Sequence, residues 1–171
     1  GVGYDAVDVP ALNARGIPLC IVGDVNSSGV AEHAMMLILA ATHRLIAADR
    51  ATRGGDWGWR NGLQTHEVAG KRLLILGFGR IGQAVARRAL GFQMRILYTS
   101  PRASPDFPEA RHVPLDVLLA ESDFVSLHCP LTPETENLLS RERLARMKPG
   151  AVVVNTARGP VIDDAALAEA L

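Results

Sequence analysis

Residues 73–86, LLILGFGRIGQAVA, set Gly77, Gly79 and Gly82 in a G-x-G-x-x-G spacing, directly after an apolar run and at the start of an amphipathic one. That context gives the spacing its chemistry. Gly77 allows a tight turn, Gly79 lets the backbone approach a pyrophosphate, and Gly82 lets a helix pack closely on the strand before it. The helix N-terminus then offers unpaired N–H groups and a partial positive charge to the phosphates. The plainer alternative is that the glycines serve only a tight strand–helix turn.

A dinucleotide site needs a residue roughly 20 positions further on, at the end of the next strand, to read the adenosine ribose. An acid there bonds the ribose hydroxyls of NAD and repels the 2′-phosphate of NADP. This sequence has LYTSPR at 97–102, with Ser100 and Arg102 and no carboxylate. Ser100 can donate to a phosphate and Arg102 can pair with one, aided by Arg80. NADP is therefore favoured over NAD. The alternative is a solvated loop charge at Arg102 and a Ser100 that merely tolerates NAD.

A second chemical signal is VVVNTARGP, residues 152–160, where an apolar strand ends in the cation Arg158 between an alanine and a Gly-Pro turn. Ligands of open parallel sheets bind outside the carboxyl ends of the strands, and a guanidinium fork suits a carboxylate. The competing reading pairs Arg158 with Asp163 or Asp164 across the turn.

The elements that must position these groups alternate. Strands are expected at 72–77, 95–98 and 124–128 and in AVVVN (151–155), with helices at 80–90, in DVLLAESD, at 140–147 and at the end of the chain. Near-continuously apolar strands alternating with helices indicate an α/β fold, a Rossmann-type doubly wound parallel sheet covered on both faces. Ahead of it, residues 1–24 read as loop, a short helix with Pro10 at its start and Gly16 as its left-handed cap, and a strand, IPLCIV. A long helix over 28–53 follows, with N-cap oxygens at Asn26, Ser27 and Ser28 and with Glu32 in its first turns. Its apolar residues spill beyond one face, so it is expected to pack against more than one body. GGDWGWRNG (54–62) ends it in a loop.

Composition narrows the partners. Lys+Arg and Asp+Glu each total 18 in 171 residues, so the net charge is zero. Neither nucleic acid nor an anionic membrane is expected as a partner. The content of 48% hydrophobic and 21% charged residues fits a globular chain. The apolar stretch AMMLILAA (34–41) is too short to cross a bilayer. Cys20 and Cys129, both in apolar, strand-like settings, read as reduced thiols of a cytoplasmic protein. The five histidines lack metal-type spacing, so no metal site is expected. The chain opens on GVGYD without methionine and stops in DDAALAEAL, and it is expected to be a segment of a longer protein.

Taken in order, GVGYDAVD, VAEHAMMLILA, GFGRIG, HCPLTPET, MKPGAVVVNTARG and VIDDAALAEAL resemble blocks of the D-isomer-specific 2-hydroxyacid dehydrogenases, across essentially the whole chain. The resemblance implies a remnant of a substrate-binding domain at 1–24 and an NAD(P)-binding domain at 25–171, which includes an interdomain and dimer-forming helix. It implies hydride transfer between a nicotinamide dinucleotide and a small 2-keto or 2-hydroxy acid such as glyoxylate or hydroxypyruvate, in a homodimer built on the long helix. By the same resemblance, the backbone at Val2 and Gly3 receives the substrate carboxylate, and Arg80 and Ile81 follow the pyrophosphate turn. Ser100 stands where most NAD-using members have Asp, Cys129 and Pro130 wall the adenosine pocket, and Thr156, Ala157 and Arg158 lie beside the nicotinamide ribose. Arg158 would hold the keto acid's carboxylate and stabilise charge on its oxygen.

Two departures stand out. The family's proton-donating histidine and its glutamate follow the arginine block, yet no histidine follows Arg158 here. The chain alone is thus expected to bind cofactor and turn over poorly or not at all. Gln93 stands where glycine is frequent, and Gly91 is expected to end the helix in its place. A rival reading is a dinucleotide-sensing, corepressor-like interaction protein of the same fold. A 3-hydroxyacid dehydrogenase would leave NTARGP unexplained.

Overall fold

Leu73, Leu74, Ile75 and Leu76 are each 0% exposed, as a central strand covered on both faces requires. A computed structural model of the protein describes residues 3–62 and 65–171. These four leucine and isoleucine residues lie in β1 (Arg72–Leu76), the middle strand of a five-stranded sheet. The others are β2 (Arg95–Thr99), β3 (Ala110–His112), β4 (Phe124–Leu127) and β5 (Val152–Asn155). All pairings are parallel and the spatial order is β3-β2-β1-β4-β5.

The helices, in chain order, are α1 (Val9–Ala14), α2 (Ser27–Thr42), α3 (Leu45–Arg53), α4 (Arg80–Gly91), α5 (Leu115–Leu118), α6 (Arg141–Ala145) and α7 (Asp164–Ala170). Period-2 alternation divides the core between them. Leu73 and Ile75 face α2 and α4, packing with Met35, Ile38, Val85 and Ala86. Leu74 and Leu76 face the other way, toward Leu118, Leu139, Leu144 and Ala166. At the amino rim, Asp123 accepts hydrogen bonds from the Arg72 N–H and from Lys148 Nζ, both at 2.8 Å, and so ties β1 to the turn before β5.

Several expectations change. The helix expected over 28–53 is two helices, bent by 61° where Arg44 adopts a left-handed φ of 49°. The buried stripe of α2 (Ala31, Ala34, Met35, Ile38, Thr42) ends at the bend, and α3 buries no residue. A straight continuation would have run past the edge of the core. Asn26 is the N-cap without a side-chain cap bond, whereas Ser28 Oγ donates to Glu32. IPLCIV forms no strand, since no described segment offers it a ladder. Cys20 within it is exposed. The Trp-containing loop includes a 3-10 helix, Trp57–Gly62. Gly16 does take the left-handed conformation after α1, at φ 64°. After α4, however, it is Gln93 itself, at φ 59°, that makes the left-handed turn assigned above to Gly91.

Candidate functional site

The carboxyl rim of the sheet is where the glycine turn and the arginine meet. Gly77, directly after β1, has φ 91°, and a Cβ there would lie 2.6 Å from the Cys129 nitrogen and 2.8 Å from its Cα. The turn after β1 therefore rests backbone to backbone on the turn after β4. A Cβ on Gly82 would run into the Gly77 carbonyl oxygen, so α4 sits directly on that turn. Gly79 differs: a Cβ there would meet nothing within 4 Å. It is the N-cap of α4 and makes no side-chain cap bond. Open space over an uncapped helix N-terminus is what a pyrophosphate requires.

Beside this turn lies a cavity of about 670 Å³. Its wall is formed by Gly3, Tyr4 and Asp5, by Ile81 of α4, by residues 128–132 after β4 and by residues 156–158 after β5. The structure thus brings together Gly3, Ile81, Cys129, Pro130, Thr156, Ala157 and Arg158. Val2 lies outside the described residues. Arg80 is exposed at the start of α4. Ser100 and Arg102 follow β2, one strand further out, and do not line this cavity. The Ser100 carbonyl accepts a hydrogen bond from His112 Nε2 at 2.9 Å, and Arg102 is exposed.

Arg158 pairs with neither Asp163 nor Asp164. Asp163 caps α7 by accepting the Ala166 N–H. The guanidinium of Arg158 instead holds Asp5: Nε donates to both carboxylate oxygens at 3.0 and 2.9 Å, and Nη2 donates to Oδ1 at 2.8 Å. Hydrogen bonding to Arg158 lowers the Asp5 pKa below the usual carboxylate range. Both side chains remain about 40% exposed, so the pair is accessible to a competing anion. The Gly3 backbone lies close beside the guanidinium, so a Cβ there would make the Arg158 side chain shift. The Arg158 backbone is set by Asn155, whose Nδ2 donates to the Arg158 carbonyl at 2.8 Å while its Oδ1 accepts the Ala157 N–H at 3.0 Å. Asp5 and Asn155 both escaped the sequence reading. Asn155 stood in plain view at the strand end, whereas nothing local joins Asp5 to a residue 153 positions away.

His128 lines the same cavity. Its Nε2 is 2.8 Å from Ser126 Oγ and its Nδ1 is 3.3 Å from Thr156 Oγ1. Burial pushes its pKa down from 6.5 to about 4, so the ring is neutral near pH 7. Burial also raises the pKa of the Cys129 thiol next to it, which disfavours its thiolate.

A doubly wound parallel sheet with a phosphate-ready turn and a carboxylate-binding arginine at one rim defines a nucleotide-dependent α/β domain. The model of the D-isomer specific 2-hydroxyacid dehydrogenase NAD binding domain matches residues 35–171. The chain belongs to the D-isomer-specific 2-hydroxyacid dehydrogenase family. A glyoxylate reductase of Thermococcus gammatolerans is 49% identical over 180 residues, covering 99% of this chain and 54% of the relative. A D-3-phosphoglycerate dehydrogenase of Mycobacterium bovis is 42% identical over 174 residues, covering 100% of this chain and 33% of the relative. Among solved structures, the NAD-dependent formate dehydrogenase of Staphylococcus aureus in complex with NAD superposes with a TM-score of 0.91 at 39% identity, over 100% of this chain and 52% of that one. The chain thus spans about half the length of the glyoxylate reductase it matches.

The His128 environment makes a prediction about stability. Its folded pKa is depressed to about 4 against 6.5 in the unfolded chain. Between these values the unfolded state takes up a proton that the folded state refuses. The contribution is therefore complete above pH 6.5 and is lost as pH falls toward 4. Urea unfolding at pH 7 and pH 4.5 should show a drop of about 2–3 kcal/mol attributable to this group. His128→Gln should abolish that part of the drop, and an unchanged drop in the variant would refute it.

Proposed function

We propose that the chain is the cofactor-binding part of an NADP-preferring oxidoreductase that interconverts a small 2-keto acid, such as glyoxylate or hydroxypyruvate, with its 2-hydroxy acid. The observation that carries this reading is the shared crevice: the Arg158 guanidinium and the first turn of α4 open onto one cavity. When bound, the nicotinamide supplies or accepts the hydride. Arg158 binds the substrate carboxylate, sharing or displacing Asp5, and orients the carbonyl. Its charge also stabilises the oxygen as negative charge grows there. Gly79 and the α4 N-terminus receive the pyrophosphate.

The alkoxide oxygen also needs a proton. His128 is unsuited to give it, being neutral, mostly buried and engaged at both ring nitrogens by hydroxyls. Purified chain should therefore bind NADPH yet reduce glyoxylate at least about a hundredfold more slowly than a full-length glyoxylate reductase, the usual cost of a missing general acid. Steady-state assay of both proteins side by side decides this, and comparable rates would overturn it.

The preference for NADP rests on Ser100 and Arg102 beyond β2, where no carboxylate opposes a 2′-phosphate. Fluorescence titration should give NADPH an affinity about tenfold above NADH, and Ser100→Asp should reverse the order. A tenfold preference of the unaltered chain for NADH would end this part of the proposal.

Residues 3–24 bury no side chain, and Ile17, Leu19, Ile21 and Val22 are each 40–51% exposed. We assign residues 1–24 to a second, substrate-binding domain. We also propose a homodimer through α2 and α3, whose exposed Met36 and Leu45 share an apolar groove with Phe92 of the segment after α4, with Ile46 also exposed on α3. Sedimentation should report a dimer that Met36→Lys with Ile46→Lys converts to monomer, and a monomeric unaltered chain would exclude it.

A further inference from the structure

The Thr156 hydroxyl and the His128 imidazole at the crevice wall, with the buried Ser126 hydroxyl behind them, have no place in the chemistry above. Ser126 lies in β4 at 0% exposure. Its hydroxyl has a single hydrogen-bond partner among the described residues, His128 Nε2 at 2.8 Å. The other ring nitrogen, Nδ1, stands 3.3 Å from Thr156 Oγ1. Thr156 lines the crevice two residues before Arg158, and its hydroxyl has no other partner among the described residues.

We propose that Ser126, His128 and Thr156 form a one-way hydrogen-bond relay, with His128 as a positioning residue, which aims the Thr156 hydroxyl proton into the crevice as a donor to an oxygen on the nicotinamide-bearing half of the dinucleotide. This rests on the reading of the crevice as a dinucleotide site.

The direction follows from proton counting. A neutral imidazole carries one N–H, on either Nε2 or Nδ1. With the proton on Nε2, that nitrogen would donate to Ser126 Oγ, and the serine's own proton would be buried with no described acceptor. Buried polar groups left unpaired in this way are disfavoured. With the proton on Nδ1, every group is matched: Ser126 donates to Nε2, and Nδ1–H donates to Thr156 Oγ1. Within this trio the Thr156 proton is then the one left without an acceptor among the described residues, and Thr156 lines the cavity. A hydroxyl in solution donates and accepts alike. This one is biased toward donation, and so selects a ribose hydroxyl oxygen or a carbonyl oxygen over an amide N–H₂.

The first test is nitrogen-15 NMR of the imidazole in the uniformly labelled full chain at pH 7. A protonated Nδ1 and an unprotonated Nε2 on His128 support the relay, and the opposite tautomer overturns it. The second test uses NADPH titration. Thr156→Val should weaken binding about tenfold, as loss of one directed hydrogen bond does, and Thr156→Ser should restore it. Ser126→Ala should weaken binding with Thr156 present and have no further effect in the Thr156→Val background. Equal losses in both backgrounds would mark Ser126 as merely structural and refute the relay. If the unaltered chain binds neither NADPH nor NADH, the dinucleotide reading fails, while the NMR result still decides the tautomer by itself.

Discussion

The crevice depends on the backbone-to-backbone contact between the turn after β1 and the turn after β4. Gly77 lies against the backbone of His128 and Cys129, and any side chain at position 77 would force the two strand ends apart. Gly82 then brings α4 down onto the same turn. Three backbone segments thereby converge at the point where the strand order changes direction, between β1 and β4. The crevice exists because this junction is so tight. Ile81 of α4 and residues 128–132 after β4 line it beside this junction, and the space above Gly79 is open.

Charge at the crevice is arranged to be exchangeable. Arg158 is not buried, and its fork is satisfied by Asp5, a carboxylate from the far end of the sequence. Partly exposed ion pairs of this kind contribute little net stability, so exchanging Asp5 for another carboxylate on Arg158 would cost little. The buried polar groups nearby follow a different rule. Ser126 and His128 are neutral and mutually satisfied, as a low-dielectric wall demands.

Both faces of the sheet are covered, but some segments outside it are not. On one side α2 and α4 pack tightly around Leu73 and Ile75. By contrast, α3 and residues 3–24 contribute no buried side chain. Ile17, Leu19, Ile21, Val22, Leu45 and Ile46 remain exposed, which is the physical basis of the proposal that a second domain and a second copy of the chain cover them.

Most of the fold could be read directly from residue order. β1 is apolar after Arg72 and β4 is apolar except at Ser126, the G-x-G-x-x-G spacing stood at a strand–helix junction, and Arg158 followed an apolar strand. Each is a local signal with a local cause. Where local patterning has no tertiary counterpart, the reading went astray: IPLCIV is apolar enough for a strand but finds no ladder, and the run over 28–53 bends at Arg44 where the core ends. Gln93 shows the reverse case, a residue of ordinary preference held at φ 59° by the geometry around it. By itself, then, the sequence determined the α/β class, the phosphate turn and the strand that carries the arginine, because these depend on neighbours a few positions apart. Only the tertiary structure decided that Asp5 meets Arg158 and that Ser126, His128 and Thr156 are joined, because such contacts depend on where separate strand ends are brought together in space.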